Sequence, residues 1–198
     1  RKVKKFRFCL ALGFVLGGLL SWNHGDASPV LPGERPDART WTIHCADCPK
    51  RIDEMGDRAL GLEATGRPHL AYGGDHLYYA WYDGAAWQYE TVDGAAGTGL
   101  YASLVLDGAG QPHIAYYDSV AQDLRYARRG AGGWTVEIVA AEGDAGLHAS
   151  LALDGAGRPH IAYYDEALGA VRFASLSGTG WLLETVESVG GMAFDISL

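Results

Sequence analysis

The sequence has few residues that could cross-link the chain, and it is short of positive charge. It holds three cysteines among 198 residues. Lys and Arg number 16 against 24 Asp and Glu, giving a formal net charge of −8. Because an acidic chain repels phosphate groups, nucleic acids and anionic membrane surfaces are not expected as partners.

The sequence also lacks an apolar run long enough for a comfortable membrane span. The longest run extends from Phe8 to Leu20, whereas a spanning helix needs about 20 apolar residues. Five of the first seven residues are basic, and no acidic residue precedes Asp26. This order is typical of a secretory signal. We predict a signal peptide over residues 1–27 and a secreted or cell-surface protein without a stable membrane span; a retained N-terminal anchor is the alternative.

Cleavage after Ala27 would leave 11 basic and 23 acidic residues, a formal net charge of −12. The exported part would then be more acidic than the whole chain. The prediction that no nucleic acid is a partner becomes stronger for the same electrostatic reason.

Long helical periodicity is missing as well, and an internal repeat stands in its place. "LDGAGQPHIAYYD" at Leu106–Asp118 returns as "LDGAGRPHIAYYD" at Leu153–Asp165, 47 residues later. Tryptophan marks nearly the same period at Trp41, Trp87, Trp134 and Trp181. Each period contains four short runs rich in aromatic or β-branched residues, bounded by Gly or Asp turns. Four strands in each period predict the blade of a β-propeller.

We therefore predict an all-β fold, a β-propeller of four-stranded antiparallel blades. The blades are expected at residues 57–100, 101–147 and 148–194, with the next one starting at 195–198. Since the chain begins with Arg and stops inside a repeat, we expect an incomplete arc of about three blades from a longer protein. Residues 28–56 form an N-terminal segment, whose strand near Trp41 is expected to complete the last blade of a closed ring.

Two stretches carry a family resemblance. The repeat "SLALDxxGxPHIAYYD" and the stretch "PHLAYGGDHLYYAWYDG" resemble a group of uncharacterised secreted bacterial proteins with propeller repeats. More distantly, the chain is similar to sialidase-like propellers, which carry Asp-box turns between the third and fourth strands. "YDGAAW" at Tyr82–Trp87 keeps an Asp and a Trp in that turn, whereas "RGAGGW" and "SGTGW" in the next two blades lack the Asp. The first resemblance implies a propeller fold and secretion, and it implies no particular activity.

The densest chemical cluster is "HCADCP", which begins at His44. In an exported chain a disulfide between Cys45 and Cys48 is favoured. Zinc would need four ligands, of which this cluster supplies three at an unusual spacing. A redox C-x-x-C normally occurs in a βαβ context, which is absent here. Metal and redox roles stay open as alternatives, and we predict neither a metal nor a cofactor.

Two other repeated residue types are interpreted as scaffold. His69, His113 and His160 recur once in each blade and would be spread around the axis, so they are expected to hydrogen-bond neighbouring strands. Asp107 and Asp154 precede Gly-Ala-Gly. We interpret them as Asx-type turn residues, because the dense oxygen ligands of a calcium loop are missing.

Candidate ligand-binding residues are those that vary in chemistry while their flanks stay alike. Just before the first strand of each blade, the aligned positions are Asp57, Tyr101, His148 and Asp195. The second strands end on the same face of the propeller with Tyr117, Asp118, Tyr164 and Asp165. Carboxylates, an imidazole and aromatic rings around one opening suit a polar ligand with stackable faces, such as a sugar. A solvated loop rim is the alternative.

Three hypotheses about function follow. The leading one is a secreted, non-enzymatic recognition propeller for glycans. The second is a sialidase-like, glycoside-cleaving enzyme, which needs two carboxyl groups or a Tyr nucleophile at the scissile bond. Asp57, Asp195 and Tyr101 are candidate parts, but the predicted mouth lacks clustered arginines. The third is a structural module that binds cell-surface proteins, a role that fold alone does not exclude.

Overall fold

The computed structural model describes residues 56, 58–178, 180–188, 190 and 196. These residues contain twelve strands and no helix. A helix long and apolar enough to cross a membrane is therefore absent from the described residues. The predicted signal peptide and the segment with Cys45 and Cys48 lie outside the described residues, so the disulfide stays a prediction.

The strands form three four-stranded antiparallel sheets, in each of which neighbours in the chain are neighbours in the sheet. Blade A contains β1 (Leu60–Leu62), β2 (Pro68–Gly73), β3 (Leu77–Tyr82) and β4 (Trp87–Asp93). Blade B contains β5 (Thr98–Leu106), β6 (Pro112–Asp118), β7 (Asp123–Gly130) and β8 (Gly133–Ala140). Blade C contains β9 (Ala145–Leu153), β10 (Pro159–Asp165), β11 (Ala170–Ser177) and β12 (Gly180–Ser188). The predicted all-β fold of four-stranded blades is confirmed.

The tight turn between the first two strands of a blade is built around an aspartate. Asp107 Oδ1 accepts hydrogen bonds from the backbone N–H groups of Ala109 and Gln111, both at 2.8 Å. Asp154 makes the same pair of bonds one repeat later, both at 2.9 Å. Gly110 completes the first of these turns with a φ of +76°, a conformation that glycine adopts without steric cost. The Asx-type interpretation is confirmed at both positions.

Each boundary between blades has its own apolar core. Between blades A and B the core includes Ala71, Tyr79, Leu104, Ile114 and Tyr116. Between blades B and C it includes Tyr126, Leu151, Ile161, Tyr163 and Ala174. Every residue of β6 is buried, because this strand packs against a neighbouring blade on each of its faces. Since a buried Ile or Leu contributes about 1.5–3 kcal/mol, contact between blades supplies much of the stability.

The tryptophan period has a structural cause. Trp134 Nε1 donates a hydrogen bond to Glu90 Oε2 of the preceding blade at 2.7 Å, and Trp181 Nε1 donates to Glu137 Oε2 at 3.2 Å. Each indole also forms a T-shaped contact with a tyrosine ring of that preceding blade, with centroids 5.2 and 5.3 Å apart. The recurring Trp therefore joins one blade to the next.

The recurring histidines are scaffold, as the sequence predicted. His69 Nδ1 and His113 Nδ1 each hydrogen-bond a tyrosine hydroxyl on the neighbouring third strand, those of Tyr79 and Tyr126 respectively. His160 stacks instead on a phenylalanine ring of β11, with centroids 5.6 Å apart and planes 27° apart. The bond therefore exists only where the third strand supplies a hydroxyl.

The burial of His113 predicts a loss of stability in mild acid. Burial lowers the pKa of His113 below its ordinary value of 6.5, although the Asp107 carboxylate opposes the shift. The unfolded chain then binds a proton at a higher pH than the folded protein does, so stability is present above pH 6.5 and is lost as the pH falls below it. We expect the urea midpoint to fall over that range, and to fall less steeply in His113→Gln. His76→Gln, in a surface loop, controls for the loss of an imidazole; an equal slope in His113→Gln and wild type would contradict the prediction.

Candidate functional site

The first strands of blades B and C each hydrogen-bond the start of the blade before them. Leu104 N donates a hydrogen bond to the carbonyl oxygen of Arg58 at 2.9 Å. One blade further on, Leu151 N donates to Ser103 Oγ at 3.0 Å, and Ser103 is buried. These bonds hold the first strands side by side, so residues at the same position of the repeat lie close together.

Tyr101 and His148 lie within the first strands and not before them. β5 begins at Thr98 and β9 at Ala145, three residues before the predicted blade boundaries. The strand pairing is interrupted by a register shift between Leu100 and Ser103, which spans Tyr101, and by one between Leu147 and Ser150, which spans His148. Tyr101 has a φ of +52° and His148 a φ of +54°, in the left-handed region that costs a residue with a side chain about 1–3 kcal/mol. A strained bulge thus occurs at the same position in two successive blades.

The bulges bring three of the predicted ligand-binding residues together. The rings of Tyr101 and His148 have centroids 4.5 Å apart and planes 47° apart. The ring of Tyr117, at the end of β6, lies with its centroid 6.2 Å from that of Tyr101. Tyr101 and His148 are half-buried and Tyr117 is buried. We call Tyr101, Tyr117 and His148 the axial ring cluster.

A loop carboxylate positions the hydroxyl of Tyr117. This hydroxyl donates to Asp144 Oδ1 at 2.5 Å, and Gln122 Nε2 donates to Asp144 Oδ2 at 3.1 Å. Burial, with the hydrogen bond to Asp144, raises the pKa of Tyr117 well above its ordinary value, so the phenol stays protonated. The loops after β6 and after β8 therefore meet on one face, as predicted. The role of Asp144 was missed because it lies 27 residues from Tyr117 in the sequence.

An arginine, Arg58, lies two residues before the first strand of blade A. The Arg58 guanidinium donates a hydrogen bond to the carbonyl oxygen of Ile196. The positions that align with Arg58 in blades B and C are Ala102 and Ala149. Because the repeat places small residues there, the sequence pattern gave no sign that this side chain would connect first-strand positions of two repeats.

The two aspartates that end the second strands are bound by the protein itself. Asp118, 2% exposed, accepts two backbone N–H groups of the following turn at 2.9 Å and pairs with Arg125 Nη2 at 2.7 Å. Asp165, fully buried, accepts one turn amide at 3.0 Å and lies 3.4 Å from Arg172 Nη1. Tyr164 is buried in an apolar cluster of blade C. The structure does not bring these three residues into the axial ring cluster. A ligand role for them stays a prediction.

The remaining predicted ligand-binding residues, Asp57 and Asp195, lie outside the described residues. Within the part of the chain that the structure describes, no group of three or more His, Cys, Asp or Glu side chains could hold a metal ion. The axial ring cluster is therefore the best-defined candidate site among the predicted residues.

Comparison with known proteins gives little about activity. No protein-family model and no curated protein matches the chain. Among solved structures the chain is similar to a GH43 glycoside hydrolase, with an engineered active site, that displays both endo-xylanase and exo-arabinofuranosidase activity. The TM-score is 0.45 at 18% identity, over 73% of this chain and 32% of that one. This chain thus spans about a third of the structure it matches, and a likeness at this level does not bear on function.

Proposed function

We propose that this protein is a secreted, non-enzymatic recognition propeller that binds glycans at the axial ring cluster. The left-handed backbone at Tyr101 and His148 is the observation that carries the proposal. Each such residue costs about 1–3 kcal/mol, and glycine at the same position would avoid most of that cost. Strain that recurs at equivalent positions of two blades is accounted for if the two rings serve binding. Export rests on the predicted signal peptide.

The chemistry of the cluster suits a sugar. A pyranose ring has apolar C–H faces that stack on aromatic rings, and hydroxyl groups that need hydrogen-bond partners. Tyr101 and His148 supply half-buried rings, and the imidazole also supplies a donor and an acceptor. Tyr117, held by Asp144, fixes the side of the cluster against which Tyr101 lies. The glycan ligand would stack on the exposed parts of these rings.

A glycan array probed with the full chain tests the proposal. We expect wild type to bind a defined subset of glycans, and Tyr101→Ala and His148→Ala each to weaken the best of these interactions at least about tenfold, equivalent to about 1.4 kcal/mol. Tyr89→Ala, which removes a 41% exposed tyrosine from β4, is the matched control and should bind normally. An array without any bound glycan would overturn the proposal, as would full affinity in both cluster variants. Shortening of the bound glycan, measured by mass spectrometry, would refute the non-enzymatic part.

A further inference from the structure

The two boundaries between blades differ in one half-buried carboxylate. Asp93, the last residue of β4, accepts a hydrogen bond at Oδ2 from the Tyr116 hydroxyl at 2.7 Å and another from Arg125 Nη1 at 3.1 Å. One repeat of 47 residues later, the last residue of β8 is Ala140. The boundary between blades B and C therefore has no side-chain carboxylate at the place that Asp93 occupies between blades A and B.

The donors that would serve this carboxylate are nevertheless kept. Tyr163 is the equivalent of Tyr116 and Arg172 that of Arg125. Tyr163 is fully buried, and its hydroxyl has no hydrogen-bond partner among the residues that the structure describes. Native proteins rarely leave such a group without a partner. The Tyr163 hydroxyl thus lacks an acceptor, and the Arg172 guanidinium contacts Asp165 with Nη1 while its Nε has no partner among the described residues.

The balance of charge at the second boundary also favours an anion. Arg125 interacts with three carboxylates, those of Asp93, Asp118 and Asp123. In the next repeat alanines replace Asp93 and Asp123. Of the three carboxylates only the one equivalent to Asp118 is kept, as Asp165. Two negative charges are therefore missing around Arg172, and repulsion of an incoming anion is correspondingly smaller.

We propose that the boundary between blades B and C binds a small carboxylate, free or as part of a larger acid, between the Tyr163 hydroxyl and the Arg172 guanidinium. The Asp93 carboxylate at the first boundary shows the contacts that such an anion would make. Because the Tyr163 hydroxyl is buried, the anion enters past the side chain of Arg172, which is 16% exposed. The site is separate from the axial ring cluster and does not depend on the proposed glycan binding.

Thermal unfolding of the full chain in sodium formate and in sodium chloride, at equal ionic strength, tests the site. For wild type we expect a midpoint about 3 °C higher in formate, since an anion bound only by the folded protein stabilises it. Ala140→Asp supplies the carboxylate within the chain and should abolish the difference between the two salts. Tyr163→Phe removes one of the two donors and should reduce it.

A gain of a second site provides an independent check. Asp93→Ala recreates the alanine of the second boundary at the first one, and should about double the midpoint difference between formate and chloride. Equal midpoints of wild type in the two salts would overturn the proposal, and so would an unchanged difference in Ala140→Asp. If Asp93→Ala does not fold, the comparison of wild type with Ala140→Asp decides alone.

Discussion

Replacing Arg125 with methionine should lower the free energy of unfolding by about 3–5 kcal/mol at neutral pH. Arg125 Nη2 lies 2.7 Å from Asp118 Oδ2 and its Nη1 lies 3.1 Å from Asp93 Oδ2. Asp118 is 2% exposed, so the substitution leaves a buried carboxylate without its cation. Methionine keeps much of the aliphatic volume, so the loss reports the charge and not the packing. Urea unfolding at pH 7 measures the change.

Arg172→Met is the matched variant in the next blade. Arg172 Nη1 lies 3.4 Å from Asp165, and no second carboxylate takes the place of Asp93 there, so a smaller loss is expected. A loss below about 1 kcal/mol at pH 7, the range of a surface ion pair, would show that this ion pair is not an important source of stability.

At position 148, glycine should give a more stable protein than alanine, by about 1 kcal/mol. In an ordinary strand the order is the opposite, since glycine there costs about 0.5–1 kcal/mol relative to alanine. His148 has a φ of +54°, a conformation that is unfavourable for alanine and free of steric cost for glycine. The same reversal is expected at Tyr101. Both replacements remove a ring, so both should lose glycan binding whatever their stability.

The neighbouring residue Ala149 provides the control. It is buried in the core between blades B and C and has no positive φ, so Ala149→Gly should be less stable than wild type. If His148→Ala were as stable as His148→Gly in denaturant unfolding, the backbone at this position would not be strained as described. Retained glycan binding in His148→Gly would instead show that the ring of His148 is not part of the site. The two readouts therefore separate the backbone conformation from the proposed function.

Much of the fold could be predicted from the sequence because it is written in local patterns. Each blade is a meander whose strands pair with their neighbours in the chain, so alternation and turn residues within a few positions are sufficient. Asp107 and Asp154 act on amides two and four residues away. His113 bonds a hydroxyl on the next strand. Interactions over such short separations are fixed by the repeat itself.

The candidate site was predicted only in part, because a backbone conformation decides where its side chains go. The sequence identified Tyr101 and His148 as variable positions at the inner strands, but a tyrosine carries no sign of a left-handed φ in the way that a glycine does. The sequence also gave no sign that the Asp118 carboxylate contacts its own turn and Arg125. The residue type alone does not distinguish an exposed carboxylate from one that is already paired with an arginine and backbone amides of the same protein.

The sequence by itself determined the period, the strands, the turns and the residue types at the inner strands. Only the tertiary structure decided which residues meet: Tyr101 against His148 from the next blade, Tyr117 against Asp144, and Tyr163 beside the place of a carboxylate that Ala140 lacks. These groups are 23 to 47 residues apart, and they meet because neighbouring blades pack face to face. The distance between two such side chains depends on the relative position of whole sheets, which no single repeat specifies.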